Sequence, residues 1–336
     1  MIKFACIKAI ATYLPEKIEL NENLGDKRFI EKLGITKRHV AADDESAGDL
    51  AFNAAENLFA NYNINRNDID FILLCTQHSD YQVPTTACHL QHRLNIPQSA
   101  GALDYNLGCS GYVYGLALAK GLIESGLAKN LLLLTSSVYL KYINVNDKPI
   151  RPLFGDGATA TLISAEGAEP CIDAFIFGTD GSRFDNLYIP VGGSRNLPRN
   201  NPEIIETDEQ GNQRSNYEVH MDGSAITYFT LRTVPKIVNE VLEKAQLQRE
   251  DIDYYIFHQA NKFVMNHVQK KCNLEGFNFY NDIDDIGNTV SGTLPFGIMK
   301  VLSDTPPSKL QRVMLAGFGV GLSWSGCIVN LSNFIN

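Results

Sequence analysis

Cys109 stands directly after Gly108 and is followed by Ser110-Gly111 and a long segment containing Gly115, Ala117, Ala119 and Gly121. That segment is apolar on nearly every side, which marks a buried helix whose neighbours approach closely. A glycine-flanked turn therefore sets one thiol at a central helix's N-terminus, where free N–H groups and the dipole favour the nucleophilic thiolate. A buried structural cysteine is the other reading of the same stretch. His258 follows the apolar run Tyr254-Tyr255-Ile256-Phe257, so it sits at a strand's carboxyl end, where α/β crevices form. Alone it reads as a satisfied core histidine. Facing Cys109 and Asn288 (in Gly287-Asn288-Thr289) it becomes a candidate donor to a developing oxyanion. Gly317-Phe318-Gly319-Val320-Gly321 is a poor dinucleotide fingerprint, because too little chain follows for a βαβ unit. A tight turn bringing backbone N–H groups to the site suits it better. Cys88-His89-x-x-His92 is only a weak metal signal, and no metal is expected.

The elements that must position these groups alternate between strand and helix. Residues 4–12 read as a strand and 47–62 as a helix, with Leu50, Ala54, Leu58 and Phe59 on one face. A buried strand at 71–75, a helix from Pro84 to Leu94, strands at 131–135 and 158–164 and a strand at 254–257 follow. Near-continuous apolar strands between helices indicate an α/β fold with a buried sheet.

An internal repeat organises the chain. Arg66-Asn67-Asp68-Ile69-Asp70-Phe71 recurs as Arg249-Glu250-Asp251-Ile252-Asp253-Tyr254, and Gly108-Cys109-Ser110 recurs as Gly287-Asn288-Thr289. The shared order of these matches indicates duplication. The expected halves are 1–168, with the cysteine, and 169–336, with the histidine and asparagine. Cys109 and Asn288 would then face one common site. The polar segment 194–220 reads as a long irregular excursion, either a binding loop or a solvated insertion.

Composition narrows the class. The 336 residues are 44% hydrophobic and 20% charged, ordinary for a globular protein with a large core. A net charge of −9 without basic runs argues against nucleic acid as a partner. No apolar run approaches a membrane span, and the first residues lack a signal-peptide layout. Seven cysteines with no C-x-x-C pair read as reduced, without a disulfide framework, in a cytoplasmic protein.

Leu107-Gly108-Cys109-Ser110-Gly111, Phe154-Gly155-Asp156-Gly157-Ala158, His258-Gln259-Ala260-Asn261, Gly287-Asn288-Thr289 and residues 317–324 together resemble the β-ketoacyl-acyl-carrier-protein synthase III family over essentially the whole chain. The resemblance implies the thiolase-like fold, two duplicated halves in five αβαβα layers, normally as a homodimer. It implies a catalytic triad of Cys109, His258 and Asn288, and a decarboxylating condensation of an acyl thioester with malonyl-acyl-carrier protein through acyl-Cys109. Backbone N–H groups of Cys109 and Val320 would hold the first oxyanion, and Phe318 would lie beside the malonyl carboxylate. Substrates would be thioesters of coenzyme A or of a carrier protein's phosphopantetheine, with no resident cofactor. Val83 resembles a position that crosses the dimer to close the partner's acyl tunnel, and a residue this small predicts a deeper tunnel.

Two departures from the family pattern concern recognition. Arg28 stands where members often stack a tryptophan on the coenzyme A adenine. In the carrier-docking patch Lys270 and Lys271 match basic positions, whereas Phe263, beside Lys262, and Tyr228 replace basic residues. Two alternatives share the fold: an acyltransferase that passes the acyl group to an alcohol, amine or thiol, and a non-catalytic partner subunit. The intact asparagine opposes the first and Cys109 the second.

Overall fold

The computed structural model describes residues 3–24 and 26–335. β1 (Phe4–Tyr13) leads into a small antiparallel pair, β2 (Lys17–Leu20) and β3 (Lys37–Val40), separated by helix α1 (Lys27–Leu33). β4 (Phe71–Cys75), β5 (Gly101–Tyr105), β6 (Asn130–Ser137) and β7 (Gly157–Gly167) then join β1 in one sheet, ordered β1-β7-β6-β4-β5. After β8 (Ile172–Thr179) come four short strands: β9 (Leu187–Tyr188), β10 (Ile205–Thr207), β11 (Gln213–Ser215) and β12 (His220–Met221). β13 (Tyr254–Phe257), β14 (Val313–Gly319) and β15 (Ser323–Val329) complete a second sheet, ordered β13-β14-β15-β8.

Helices fill the layers around and between the sheets. α2 (Ala47–Tyr62) lies on β1, β6 and β7, with α3 (Thr86–Arg93) beside it. α4 (Gly111–Glu124) touches strands of both sheets, and α7 (Thr293–Asp304) shares its layer. α5 (Gly223–Ala245) covers β8, β14 and β15, next to α6 (Lys262–Lys271). This is the αβαβα order. The middle layer forms because Tyr112, Val113 and Leu116 of α4 and Leu294 and Ile298 of α7 pack between Leu131, Leu133, Val313 and Leu315. Burying such side chains contributes about 1.5–3 kcal/mol each.

The repeat has a structural counterpart. Each copy of the motif makes a short 3-10 turn before its strand. Asp70 Oδ2 then accepts from the backbone N–H of Lys129 and Asn130, as Asp253 Oδ2 accepts from Gln311 and Arg312. The halves are not identical, however: where β5 edges the first sheet, the second has only a bridge between Tyr255 and Phe279.

Three expectations change. Cys6 and Cys171 form a disulfide that ties β1 to the start of β8, so the reading of seven reduced cysteines fails. A pair 165 residues apart leaves no local spacing signature and becomes visible only when the fold brings β1 and β8 together. The 194–220 excursion is not wholly irregular, because β10 pairs with β11 and β12 with β9. The helix expected from Pro84 begins at Thr86, since Thr85 is still extended with ψ 139°.

Candidate active site

Cys109 ends the crossover from β5 and precedes the first turn of α4. Its turn is clamped from three sides: Tyr105 Oη donates to Gly111 O (3.0 Å), Ser325 Oγ donates to Ser110 O (3.0 Å), and the Ser110 and Ser323 hydroxyls lie 2.8 Å apart. Two of these ties come from β15, so the second half fixes the first half's cysteine. The glycines of β14 permit the approach. A Cβ on Gly317 would lie 2.6 Å from Cys109 O, and one on Gly319 would lie 2.9 Å from the sulfur. The backbone N–H groups of Val320 and of Cys109 itself are directed at the sulfur. These two donors favour the thiolate, yet burial outweighs them and pushes the thiol up to about 12. The helix-terminus argument predicted a favoured thiolate; in the closed cavity desolvation wins, and the resting group is the thiol.

His258 follows β13, and its backbone N–H donates to Ala316 O of β14. Burial holds its imidazole down at about 3, so the ring is neutral. Nδ1 lies 2.8 Å from Thr293 Oγ1, and Phe318 meets the ring edge-on, centroids 5.5 Å apart. Asn288 is pinned through its backbone, which donates to Leu153 O and accepts from Gly155 N–H. A Cβ at Gly155 would collide with Ile286 O, so the Phe154-Gly155-Asp156 stretch serves as the bracket for Asn288. Its side-chain Oδ1 accepts from Val290 N–H (2.8 Å), which leaves Nδ2 without a hydrogen-bond partner among the described residues. Val290 has φ +59°, a left-handed conformation costly for a β-branched residue. The hydrogen bonds of its N–H to Asn288 Oδ1 and of its carbonyl to Thr293 Oγ1 hold it there.

Cys109, His258, Asn288 and Phe318 line one cavity of about 250 Å³. Its mouth includes Phe29 and Leu33 of α1 and Ile226, Thr227 and Thr230 of α5. Arg214 of β11 reaches the same wall, where Nε donates to buried Asp147 (2.7 Å). The excursion therefore contributes to the site, which favours the binding-loop reading of its sequence over the solvated insertion. Thr293, Val290, Phe29 and Arg214 were all missed. Thr293 and Val290 lie in a segment that signals only a buried helix, and Arg214 in one that signals only a loop.

The remaining predicted residues lie apart. Arg28 is exposed on α1 and does not line the cavity; its neighbour Phe29 does. Lys262 begins α6 with its side chain against Gly34, while Lys270 and Lys271 are exposed at the far end of that helix. About 12 Å of helix rise separates them, so they are not one cluster. Val83 is 84% exposed and does not reach the cavity of its own chain. Among the described residues no helix is long and apolar enough to cross a membrane, and no three of His, Cys, Asp and Glu gather to hold a metal.

Known proteins with this arrangement are numerous. The family model described as 3-oxoacyl-[acyl-carrier-protein (ACP)] synthase III matches residues 103–181, and its C-terminal counterpart matches residues 242–331. The chain is 33% identical over 340 residues to the β-ketoacyl-[acyl-carrier-protein] synthase III of Lactococcus lactis subsp. lactis (strain IL1403), covering 98% of this chain and 99% of that protein. It is 32% identical over 331 residues to β-ketoacyl-[acyl-carrier-protein] synthase III 2 of Halalkalibacterium halodurans, covering 97% and 96%. A crystal structure of a 3-oxoacyl-(acyl-carrier-protein) synthase III superposes with a TM-score of 0.93 at 43% identity, over 97% of this chain and 99% of that one. Another, a 3-oxoacyl-(acyl-carrier protein) synthase from Burkholderia xenovorans LB400, gives 0.88 at 32% identity, over 99% and 95%. With Cys109, His258 and Asn288 in one cavity between duplicated halves, this chain belongs to the 3-oxoacyl-[acyl-carrier-protein] synthase III family.

Proposed function

We propose that this chain catalyses a decarboxylating Claisen condensation between an acyl thioester and a malonyl thioester. The Cys109 sulfur attacks the acyl carbonyl, its thiol proton passes to the departing thiolate, and acyl-Cys109 remains. The N–H groups of Cys109 and Val320 stabilise the oxyanion of that step. Malonyl thioester then loses CO₂, and the electron pair spreads from its α-carbon onto the thioester oxygen. His258 and Asn288 Nδ2 donate to that oxygen, with Phe318 beside the departing carboxylate. The α-carbon attacks acyl-Cys109, the C–S bond breaks with its electron pair left on the sulfur, and the resulting thiolate takes a proton from water. Two half-reactions through one covalent intermediate give ping-pong kinetics.

The observation that carries this reading is the free Asn288 amide in the cavity of a buried cysteine and a neutral histidine. An acyltransferase without decarboxylation forms no enolate for that donor to stabilise, which favours the condensing reading. The test separates the half-reactions: Asn288→Ala should load an acyl group on Cys109 at nearly the normal rate, yet lose condensation roughly 10²-fold. Equal loss of both would defeat the assignment, and an acyl adduct on Cys109→Ala would defeat the nucleophile.

Donors are thioesters of coenzyme A or of a carrier protein, and the acceptor is malonyl-acyl-carrier protein, with no resident cofactor. An acidic carrier would meet Lys262, Lys270 and Lys271, and Arg232 and Lys236 of α5 beside Tyr228 in an open groove with Arg183. Those cations supply charge that Tyr228 and Phe263 do not. The enzyme acts as a homodimer, with exposed Val83 reaching toward the partner.

A further inference from the structure

Two buried guanidinium groups share one carboxylate beneath the Asn288 bracket, and no step above uses them. Glu19 of β2 accepts from both: Oε2 from Arg38 Nη2 (3.1 Å) and Arg151 Nε (3.2 Å), and Oε1 from Arg151 Nη2 (2.8 Å). Burial raises the Glu19 carboxyl, but the two guanidiniums outweigh it and hold the group below its ordinary value. Asn21 completes the cluster. Its Oδ1 accepts from Arg38 Nε (2.6 Å), and its Nδ2 donates to Ile35 O and Pro152 O, both at 2.9 Å. Arg38 Nη1 donates to Arg151 O (3.0 Å). Three successive carbonyls are thereby committed: those of Arg151 and Pro152 to Arg38 and Asn21, and that of Leu153 to Asn288 N–H (2.8 Å). Packing runs the same way. A Cβ on Gly287, the residue before Asn288, would lie 3.1 Å from Arg38 Cγ, so the arginine stem lies against the asparagine's turn. β3 is tied to the same segment, since Thr36 N–H and Lys37 N–H both donate to Asp284 O.

We propose that Glu19, Asn21, Arg38 and Arg151 form a positioning clasp for Asn288, setting where its side-chain amide meets the developing enolate. The proposal rests on the condensation reading above. Two buried cations without a shared anion are costly, so the arginines keep their places only while Glu19 lies between them. Arg151 Nη1 also donates to Leu140 O (3.3 Å) and Ile143 O (2.9 Å), so the 151–153 segment is fixed from both sides. The turn of Cys109 is held separately, by Tyr105, Ser323 and Ser325. The clasp therefore bears on the decarboxylation half-reaction and not on acyl loading. A donor misplaced by about 1 Å costs on the order of 10²-fold in rate.

The experiment reads the half-reactions separately: CO₂ release from malonyl-pantetheine, and acetyl loading of Cys109 from acetyl-pantetheine by intact mass. Glu19→Gln, checked for native folding by circular dichroism, keeps an acceptor but removes the shared charge. It should slow CO₂ release about tenfold or more and change acetyl loading less than about threefold. Arg151→Lys, which keeps the charge but not the fork, should show the same split and carries the test if Glu19→Gln does not fold. In the Asn288→Ala background Glu19→Gln should slow CO₂ release no further, because the donor it positions is already gone. Equal losses in both half-reactions would make the clasp a folding element only and overturn the proposal. Unchanged CO₂ release in the folded variants overturns it too, as does a further loss of about tenfold in the double variant. Failure of the unaltered protein to release CO₂ overturns the condensation reading instead.

Discussion

Thr293 Oγ1 lies 2.8 Å from His258 Nδ1 and 3.0 Å from Val290 O, so its single hydroxyl proton can go to only one of the two. The choice sets the histidine tautomer. A neutral imidazole carries one N–H. If Thr293 donates to Nδ1, the ring hydrogen is on Nε2, the form that donates to an enolate. If Thr293 donates to Val290 O, Nδ1 must carry the hydrogen and Nε2 becomes an acceptor.

A Thr293 that donates to Nδ1 would be a positioning residue for the decarboxylation half-reaction. Thr293→Val removes the donor and leaves Nδ1–H facing the Val290 carbonyl. Malonyl decarboxylation should fall roughly 10²-fold, as for loss of an oxyanion donor, while acyl loading of Cys109 changes less than about threefold. Thr293→Ser should restore most of the rate. A uniform loss in both half-reactions, without rescue by serine, would mark Thr293 as a packing residue only.

The Cys109 thiol yields a second prediction. Its resting protonation follows from burial, which pushes it up to about 12. The thiolate fraction then rises about tenfold per pH unit throughout the neutral and mildly alkaline range. Iodoacetamide alkylation at Cys109, followed by peptide mass, should climb without a plateau from pH 7 to pH 9. A plateau below pH 8 would reveal a thiolate paired with a protonated histidine, contrary to the neutral His258 of the cavity.

The candidate site was legible because its residues sit where local pattern changes. Cys109 and His258 each end an apolar run, and Asn288 repeats the position of Cys109 in the second copy. The repeat itself was legible because Asp70 and Asp253 do the same job, anchoring two backbone N–H groups of the next strand. The Cys6–Cys171 bridge, the Gln77–Tyr139 hydrogen bond and Arg214 were not. Each acts through a partner more than 60 residues away, a contact that no periodicity encodes. The thiol's resting state was misjudged for a related reason: a helix terminus is visible in sequence, whereas the depth of burial opposing it is a property of the whole fold.

Acid stability provides the last prediction. His78 and His258 are both buried and held down at about 3 by desolvation. The unfolded chain binds protons at these sites near pH 6.5, and the native chain does not until about pH 3. Each histidine thus removes about 1.4 kcal/mol of stability per pH unit as pH falls below 6.5. Asp156 has the opposite sign. Burial raises its carboxyl to about 6, so below that pH the native state takes up a proton that the unfolded state, near 3.9, does not. It offsets roughly one histidine between pH 6 and pH 4. His78→Phe keeps a ring stacked on Tyr142 but loses the acceptor that faces Val138 N–H at 3.5 Å. At pH 7 the variant should be less stable by about 1 kcal/mol. The deficit should shrink as pH falls and reverse near pH 5.5, because the unaltered protein loses stability through His78 and the variant does not. Urea midpoints measured at pH 7, 6 and 5 test this, and parallel curves for the two proteins would show that His78 is not held neutral by the fold.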